Sequence, residues 1–286
     1  MAVTTSQTGR RANRRWMKWV LSGVSGGFSS QRSIRQFISL IIFFGGWQLL
    51  CTLNFNLFIN FQFVPSPIEV FQATVTFLSK NPGVHIWASV WRVILGYVIA
   101  ACLGVFLGVL IGWFEKVEDL TMPALELLRP IPAVAWIPLA ILMFPNAESG
   151  MVYITFIGAF FPILISTIKG VENTLSDMVL IRVGQCLGAK PWHTFKDIVI
   201  PGSLPSIASG LTIGMGNAWF CLVTAEILAG RYGVGYITWE SYVTSNYPPI
   251  VMGMLLIGFM GAFSSWAVSH AMNALMPWRV IKKQDF

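Results

Sequence analysis

Residues 90 to 114 read VWRVILGYVIAACLGVFLGVLIGWF. Arg92 is the one charge in this run, which as a helix is long enough to cross the roughly 30 Å hydrocarbon core of a bilayer. Small residues recur at every fourth position, at Gly96, Ala100, Gly104, Gly108 and Gly112. One face of the helix is therefore a groove that lets another backbone approach closely. The device is structural and needs no chemistry. A later stretch repeats it more briefly with Gly210, Gly214 and Ala218.

The rest of the chain has the same character. Of 286 residues, 55% are hydrophobic and 11% charged, whereas a soluble domain carries about a quarter charged residues. Lipid is the solvent for much of this chain. Segments near 34–53, 88–113, 121–144, 150–168, 203–228 and 248–275 are each long enough to span. The expected fold is all-α, a polytopic inner-membrane bundle of about six transmembrane helices.

Orientation follows from the basic residues. Arg10, Arg11, Arg14, Arg15, Lys18, Arg32 and Arg35 lie within the first 35 residues, with no acid among them. With the N-terminus inside, the inner segments collect most of the 19 Lys and Arg, so both termini are expected to be cytoplasmic. The +7 net charge is thus a topology signal rather than a nucleic-acid footprint. Residues 1–35 form a basic cytoplasmic segment, either an interfacial helix carrying Trp16 and Trp19 or a disordered tail. The transmembrane domain covers 36–278, with a cytoplasmic loop at 173–203, and 279–286 form the C-terminal tail. Cys51, Cys102, Cys186 and Cys221 make no disulfide framework and are expected as small buried apolar residues.

Two irregular stretches stand out. FVPSPIEVFQATVTFLSK, on the outer side, has an amphipathic patch of Ile68, Phe71, Val75 and Leu78 and predicts a short surface helix. In MPALELLRPIPAVAWIPLAILMF, Pro130, Pro132 and Pro138 each remove a backbone donor and so bend or break the helix. Broken helices at membrane depth are tolerated where they line a cavity or are buried in protein. Arg129, just before the break, either faces such a cavity or pairs with Glu126 one turn away.

Enzyme chemistry is missing. His85, His193 and His270 are isolated, no nucleophile elbow occurs, and no phosphate-cradling glycine loop is present. Carboxylates in or near spans are few, Glu126 and Glu226, too few for a proton relay. No catalytic residue, metal site or bound cofactor is expected.

Residues 186–205, CLGAKPWHTFKDIVIPGSLP, interrupt the apolar pattern on the inner side. Gly188 stops a preceding helix, Pro191 opens a second in its first turn, and Pro201 is expected to end it. Trp192, Phe195 and Val199 share a face at helical spacing, away from His193, Lys196 and Asp197, and that face could plug a groove in a partner.

This loop resembles that of permease subunits of bacterial ATP-binding-cassette importers, with the pattern E-A-A-x3-G-x9-I-x-L-P. Gly188, Ile198 and Pro201 match in register, while Ile200 replaces the leucine, and Arg182, Val183 and Gly184 stand in place of the opening triad. LRPIPAVAWIPLAILMFP, FFPILISTIKGVENT and AEILAGRYGVGYITWES are similar to blocks of the permeases for nitrate, sulfonates and bicarbonate, above all the cyanobacterial nitrate/nitrite permease and its bicarbonate relative. The resemblance implies a type I importer permease. It acts as a homodimer with two ATPase subunits, identical or different, below and a substrate-binding lipoprotein above. ATP and Mg bind the partners, and this chain has no enzymatic activity. The implied ATPase-coupling residues are Gly188, Ala189, Lys190, Pro191, Trp192 and His193, continuing through Thr194, Phe195, Lys196, Ile198 and Pro201. A small planar anion needs a few donors and weak positive potential. The candidates for its path are Arg92, Arg129, Trp136, Asn217, Trp219 and Thr224. Each has a structural alternative: Arg92 snorkelling to headgroups, and Trp136 and Trp219 simply packed. Glu226 is a further candidate, which could instead shape an outer gate or meet the binding protein. An ATP-independent carrier or channel and a purely structural subunit are the alternatives in other classes.

Overall fold

The computed structural model describes residues 30–53, 63–80 and 82–278. The basic segment up to residue 29 and the tail from 279 lie outside the described residues. The chain divides into two units, Met1–Ile68 and Glu69–Phe286.

In the first unit, helix α1 (Ser30–Thr52) is 23 residues long, about 34 Å at about 1.5 Å per residue. Thr52 Oγ1 donates to Leu49 O at 2.9 Å in its last turn. Ile41, Ile42 and Phe43 are exposed.

The second unit begins within α2 (Pro67–Ser79), the amphipathic helix expected there, whose Ile68, Phe71, Val75 and Leu78 all lie on its exposed side. Next come α3 (Gly83–Trp113), α4 (Glu115–Leu128), a 3-10 turn (Ala133–Trp136), α5 (Ile137–Met143) and α6 (Ala147–Ser176). They are followed by α7 (Met178–Cys186), α8 (Pro191–Ala229), α9 (Val234–Val243) and α10 (Tyr247–Ala274). The four helices α3, α6, α8 and α10 are long and apolar enough to cross a membrane, and α4 with the 3-10 turn and α5 makes a fifth such element bent by 83°.

The bend has the cause read from the sequence. Pro130 and Pro132 occupy the gap, where the chain has no helical hydrogen bond to lose. Pro138 takes no part in it, because it stands in the first turn of α5, where a missing donor is harmless.

Helix α6 is the centre of the packing. Gly104, Gly108 and Gly112 of α3 face Ile163, Thr167 and Val171 of α6 in step, so the two helices run parallel. A Cβ on Gly108 would lie 2.6 Å from Thr167 Cβ and 3.0 Å from Leu164 O. On the other side, Gly202, Gly210 and Gly214 of α8 meet Thr174, Ser166 and Ile163, in the reverse order, so α8 is antiparallel to α6. Both small-residue stripes read from the sequence are therefore packing surfaces. They allow backbone approach where lipid provides no hydrophobic drive between helices. Gly158 and Gly170 on α6 complete the α8 contact from the other side. By contrast, α10 buries only Met252 and Gly253 and exposes Phe259, Phe263 and Trp266.

Three expectations are corrected. Pro201 does not end the loop helix: α8 continues from Pro191 to Ala229. The segment Thr194–Val199 is π-helical, with the Ile200 N–H donating to Phe195 O five residues back. This wider turn makes room in which a proline that lacks its own donor is accommodated. The same widening removes Val199 from the face of Trp192. Thr194 and Val199, five apart, are buried, whereas Trp192 is exposed. Of the cysteines, Cys221 is buried and Cys51 partly so, but Cys102 and Cys186 are exposed.

Candidate functional site

Where the broken helix meets α6 and α8 there is a cavity of about 610 Å³. Arg129 and Pro132 enter it from the break, Ser166 and Lys169 from α6, and Asn217 and Phe220 from α8. The α6 residues share one helical face (Gly158, Pro162, Ser166 and Lys169), as do Ile213, Asn217 and Phe220 on α8. The cavity offers two cations, a hydroxyl and an amide among aliphatic and aromatic walls. Such a set can take the negative end of an anion while the walls keep it weakly held. Neither cation forms a salt bridge among the described residues. Arg129 and Glu126 are both exposed and do not pair.

Beyond the cavity, near the C-terminal end of α8, lies a buried ionic cluster. His85, Ser89 and Arg92 stand on one face of α3, at successive helical spacings. Arg92 Nη1 donates to Glu226 Oε1 at 2.7 Å and to Tyr232 O at 2.7 Å. Its Nε reaches Glu148 Oε2 at 2.6 Å and its Nη2 reaches Glu148 Oε1. Ser89 Oγ also donates to Glu226 Oε1, at 2.7 Å. The loop between α8 and α9 is held by the same groups. Gly233 N–H donates to His85 Nδ1 at 3.3 Å, Val234 N–H to Ser89 Oγ at 3.0 Å, and Gly235 N–H to Glu226 Oε2 at 3.0 Å. The glycines of GRYGVG are required by this closeness. Gly233 has φ 138°, and a Cβ there would strike the Glu226 carboxylate. Buried charge of this kind persists because every charge is paired and hydrogen-bonded.

The loop face carries the motif residues. Asp177 caps α7, accepting from Val179 N at 3.2 Å and Leu180 N at 3.4 Å. Gly188 ends it with φ 81°, as the sequence predicts, with its N–H donating to Gln185 O at 2.9 Å. Gly184, in the position of the motif's second alanine, is buried against Ile198: an added Cβ would lie 2.6 Å from Ile198 Cδ1. The motif's spacing thus joins α7 to the start of α8. Gly188, Lys190, Pro191, Trp192, His193 and Lys196 are exposed, Ala189 and Ile198 are half-buried, and Thr194 is buried. Phe195 stacks on Trp192 at 5.7 Å and meets Trp113 of α3 edge-on at 4.9 Å. The aromatic face therefore leans partly on its own chain.

Of the residues expected to line a path, Arg129 and Asn217 line the cavity. The others lie elsewhere. Arg92 and Glu226 form the ionic cluster, and Arg92 is 2% exposed instead of snorkelling outward. Trp219 is buried, and its Nε1 donates to Ser264 Oγ of α10 at 2.8 Å. Trp136 packs against the core with its indole N–H unpartnered. Thr224 Oγ1 bonds back to Phe220 O at 3.0 Å. Sequence reasoning missed Lys169 and Ser166, whose i, i+3 spacing one turn beyond Pro162 was a usable signal. It also missed Glu148, which the expected span 150–168 left in a loop although α6 begins at Ala147.

Residues 100–279 match the family model described as binding-protein-dependent transport system inner membrane component. A protein named as an ABC transporter permease in Methanocaldococcus jannaschii is 39% identical over 196 residues, 68% of this chain and 73% of that protein. The nitrate import permease protein of Synechocystis is 30% identical over 259 residues, 87% of this chain and 91% of its own length. An aliphatic sulfonates transport permease protein of Bacillus subtilis is 30% identical over 238 residues, 82% of this chain and 83% of that one. The chain belongs to the family of binding-protein-dependent transport system inner membrane components, the permease subunits of ABC importers.

Proposed function

We propose that this chain conducts a small oxyanion inward, nitrate or nitrite in the first place, through the cavity lined by Arg129, Lys169, Ser166 and Asn217. The cavity carries the reading: Arg129 stands at the break in the helix and Lys169 on the facing helix α6, in a chain in which only 11% of residues are charged. The similarity to nitrate import permeases supports the choice of anion. Two copies form the conduit, two ATPase subunits dock below at Gly188–Pro201, and a binding lipoprotein delivers the anion from above. ATP and Mg belong to the ATPase subunits, and this chain holds no cofactor and catalyses no reaction. Both termini face the cytoplasm, which puts Arg129 and Lys169 in the inner half of the path and the Arg92 cluster at the outer end. Closure of the ATPases drives the 189–201 segment, and the packed helices rock as a body between outward- and inward-facing states.

A second reading, an organic sulfonate, is favoured by the walls. Ile157, Phe161, Ile165, Ile213 and Phe220 give the cavity more apolar surface than nitrate would touch, and a relative is named for aliphatic sulfonates transport. Uptake of labelled nitrate, ethanesulfonate and bicarbonate is measured in a strain lacking this chain, complemented with the wild type or Arg129→Gln. Nitrate uptake restored only by the wild type supports the first reading. Restoration of ethanesulfonate alone selects the second, and uptake that persists without the partner ATPase refutes both.

A further inference from the structure

Helix α8 is one continuous element with its two ends engaged in different tasks. Trp192 lies near its start on the exposed loop face, Asn217 faces the cavity, and Glu226 lies near its end inside the ionic cluster. A helix pushed at one end turns the push into displacement along its length only if the other end is held. Along its middle, α8 rests on α6 at the close approaches of Gly210 to Ser166 and Gly214 to Ile163. These contacts are small and close, and they resist separation more than sliding.

The far end is held differently. Arg92 of α3 grips Glu226 of α8 and Glu148 of α6 at once, so a single guanidinium joins the three packed helices at their common end. The grip is unequal. Glu226 is fully buried and also accepts from Ser89 and Gly235, whereas Glu148 is 62% exposed and its two oxygens are both engaged by Arg92. The four consecutive backbone groups Tyr232 O, Gly233 N, Val234 N and Gly235 N are captured by side chains of the same cluster. The turn that follows α8 therefore cannot act as slack.

We propose that Arg92 is a positioning residue for energy coupling. With Glu226 and Glu148 it clamps the far ends of α3, α6 and α8 into one body, so that movement delivered at Trp192 reaches the cavity wall at Asn217 instead of being lost as tilt of α8. This rests on the docking of an ATPase at the 189–201 segment proposed above. The cluster lines no part of the Arg129 cavity, so its removal weakens coupling and leaves the anion's contacts intact.

The test uses the complete importer, permease with its ATPases and binding protein, in proteoliposomes. It measures ATP hydrolysed per anion imported, with whichever of labelled nitrate or ethanesulfonate the wild type takes up. Glu226→Gln is expected to raise that ratio tenfold or more while hydrolysis stays within twofold of wild type. Glu148→Gln, which leaves the buried pair intact, should raise it two- to fivefold. Arg92→Lys keeps the charge but loses the fork that reaches both carboxylates and should fall between them. Hydrolysis and import falling in the same proportion, or an unchanged ratio, overturns the proposal. If Glu226→Gln fails to assemble, Glu148→Gln decides alone, and an unchanged ratio is then fatal. Gly188→Val separates the two levels. If hydrolysis in that variant still responds to the binding protein, the docking reading fails. If the response is abolished while the clamp variants keep the wild-type ratio, only the clamp is wrong.

Discussion

Arg92 and Glu226 stand 134 positions apart in the chain and meet at 2.7 Å, with 2% and 0% of their side chains exposed. The pair closes the end of the bundle at which α3, α6, α8 and the loop to α9 converge. Its partners were both visible as unusual charges in apolar surroundings, and each answers for the other.

Removing one half leaves the other buried and uncompensated. Arg92→Ala should destabilise the detergent-solubilised chain by about 3–5 kcal/mol, whereas Glu148→Ala, on the exposed branch, should cost about 1 kcal/mol or less. Thermal unfolding of the purified variants measures the difference. Equal losses would show that burial of Glu226 is not what makes the pair matter.

Glycines on the packed stripes and glycines off them should respond with opposite signs. Gly108→Ala places a Cβ 2.6 Å from Thr167 Cβ and 3.0 Å from a backbone oxygen, an overpacking that costs about 1–3 kcal/mol. Gly216→Ala, on α8, has nothing within 4 Å and should be neutral or stabilising by up to about 1 kcal/mol. Yield of monodisperse protein and melting temperature report both.

The cavity cations should matter singly. Arg129→Gln or Lys169→Gln removes one charge-assisted contact to the anion, a loss of about 1.5–3 kcal/mol, or about ten- to a hundredfold in import rate. Basal ATP hydrolysis should be unchanged. Import at wild-type rates in both variants would remove the cavity from the pathway.

At Gly188 the constraint is backbone conformation and nothing else, since an added Cβ meets no atom within 4 Å but φ is 81°. A β-branched residue there costs about 1–2 kcal/mol in the left-handed region. Gly188→Val should therefore displace the start of α8, abolish stimulation of the ATPase, and leave membrane insertion and level intact. Gly188→Asn, which tolerates that region, should restore stimulation in large part.

Local composition and spacing carried the all-α membrane class, the small-residue stripes from Gly96 to Gly112 and from Gly210 to Ala218, the break at Pro130 and Pro132, and the stop at Gly188. These properties belong to one helix or one turn and depend on residues a few positions apart. Arg129 and Asn217 were readable as odd polar residues, but Lys169 and Ser166 became part of a site only when α6 turned that face toward the break. The sequence could not state that Arg92 is sequestered by two carboxylates, because the pairing depends on the register of α3 against α6 and α8, and no local pattern specifies register across more than fifty positions. Pro201 failed as a stop for a related reason. Whether a proline ends a helix depends on the hydrogen bonding of the preceding turn, and the π turn at Thr194–Val199, with Thr194 and Val199 buried, is seen only once α7 and α6 pack against it.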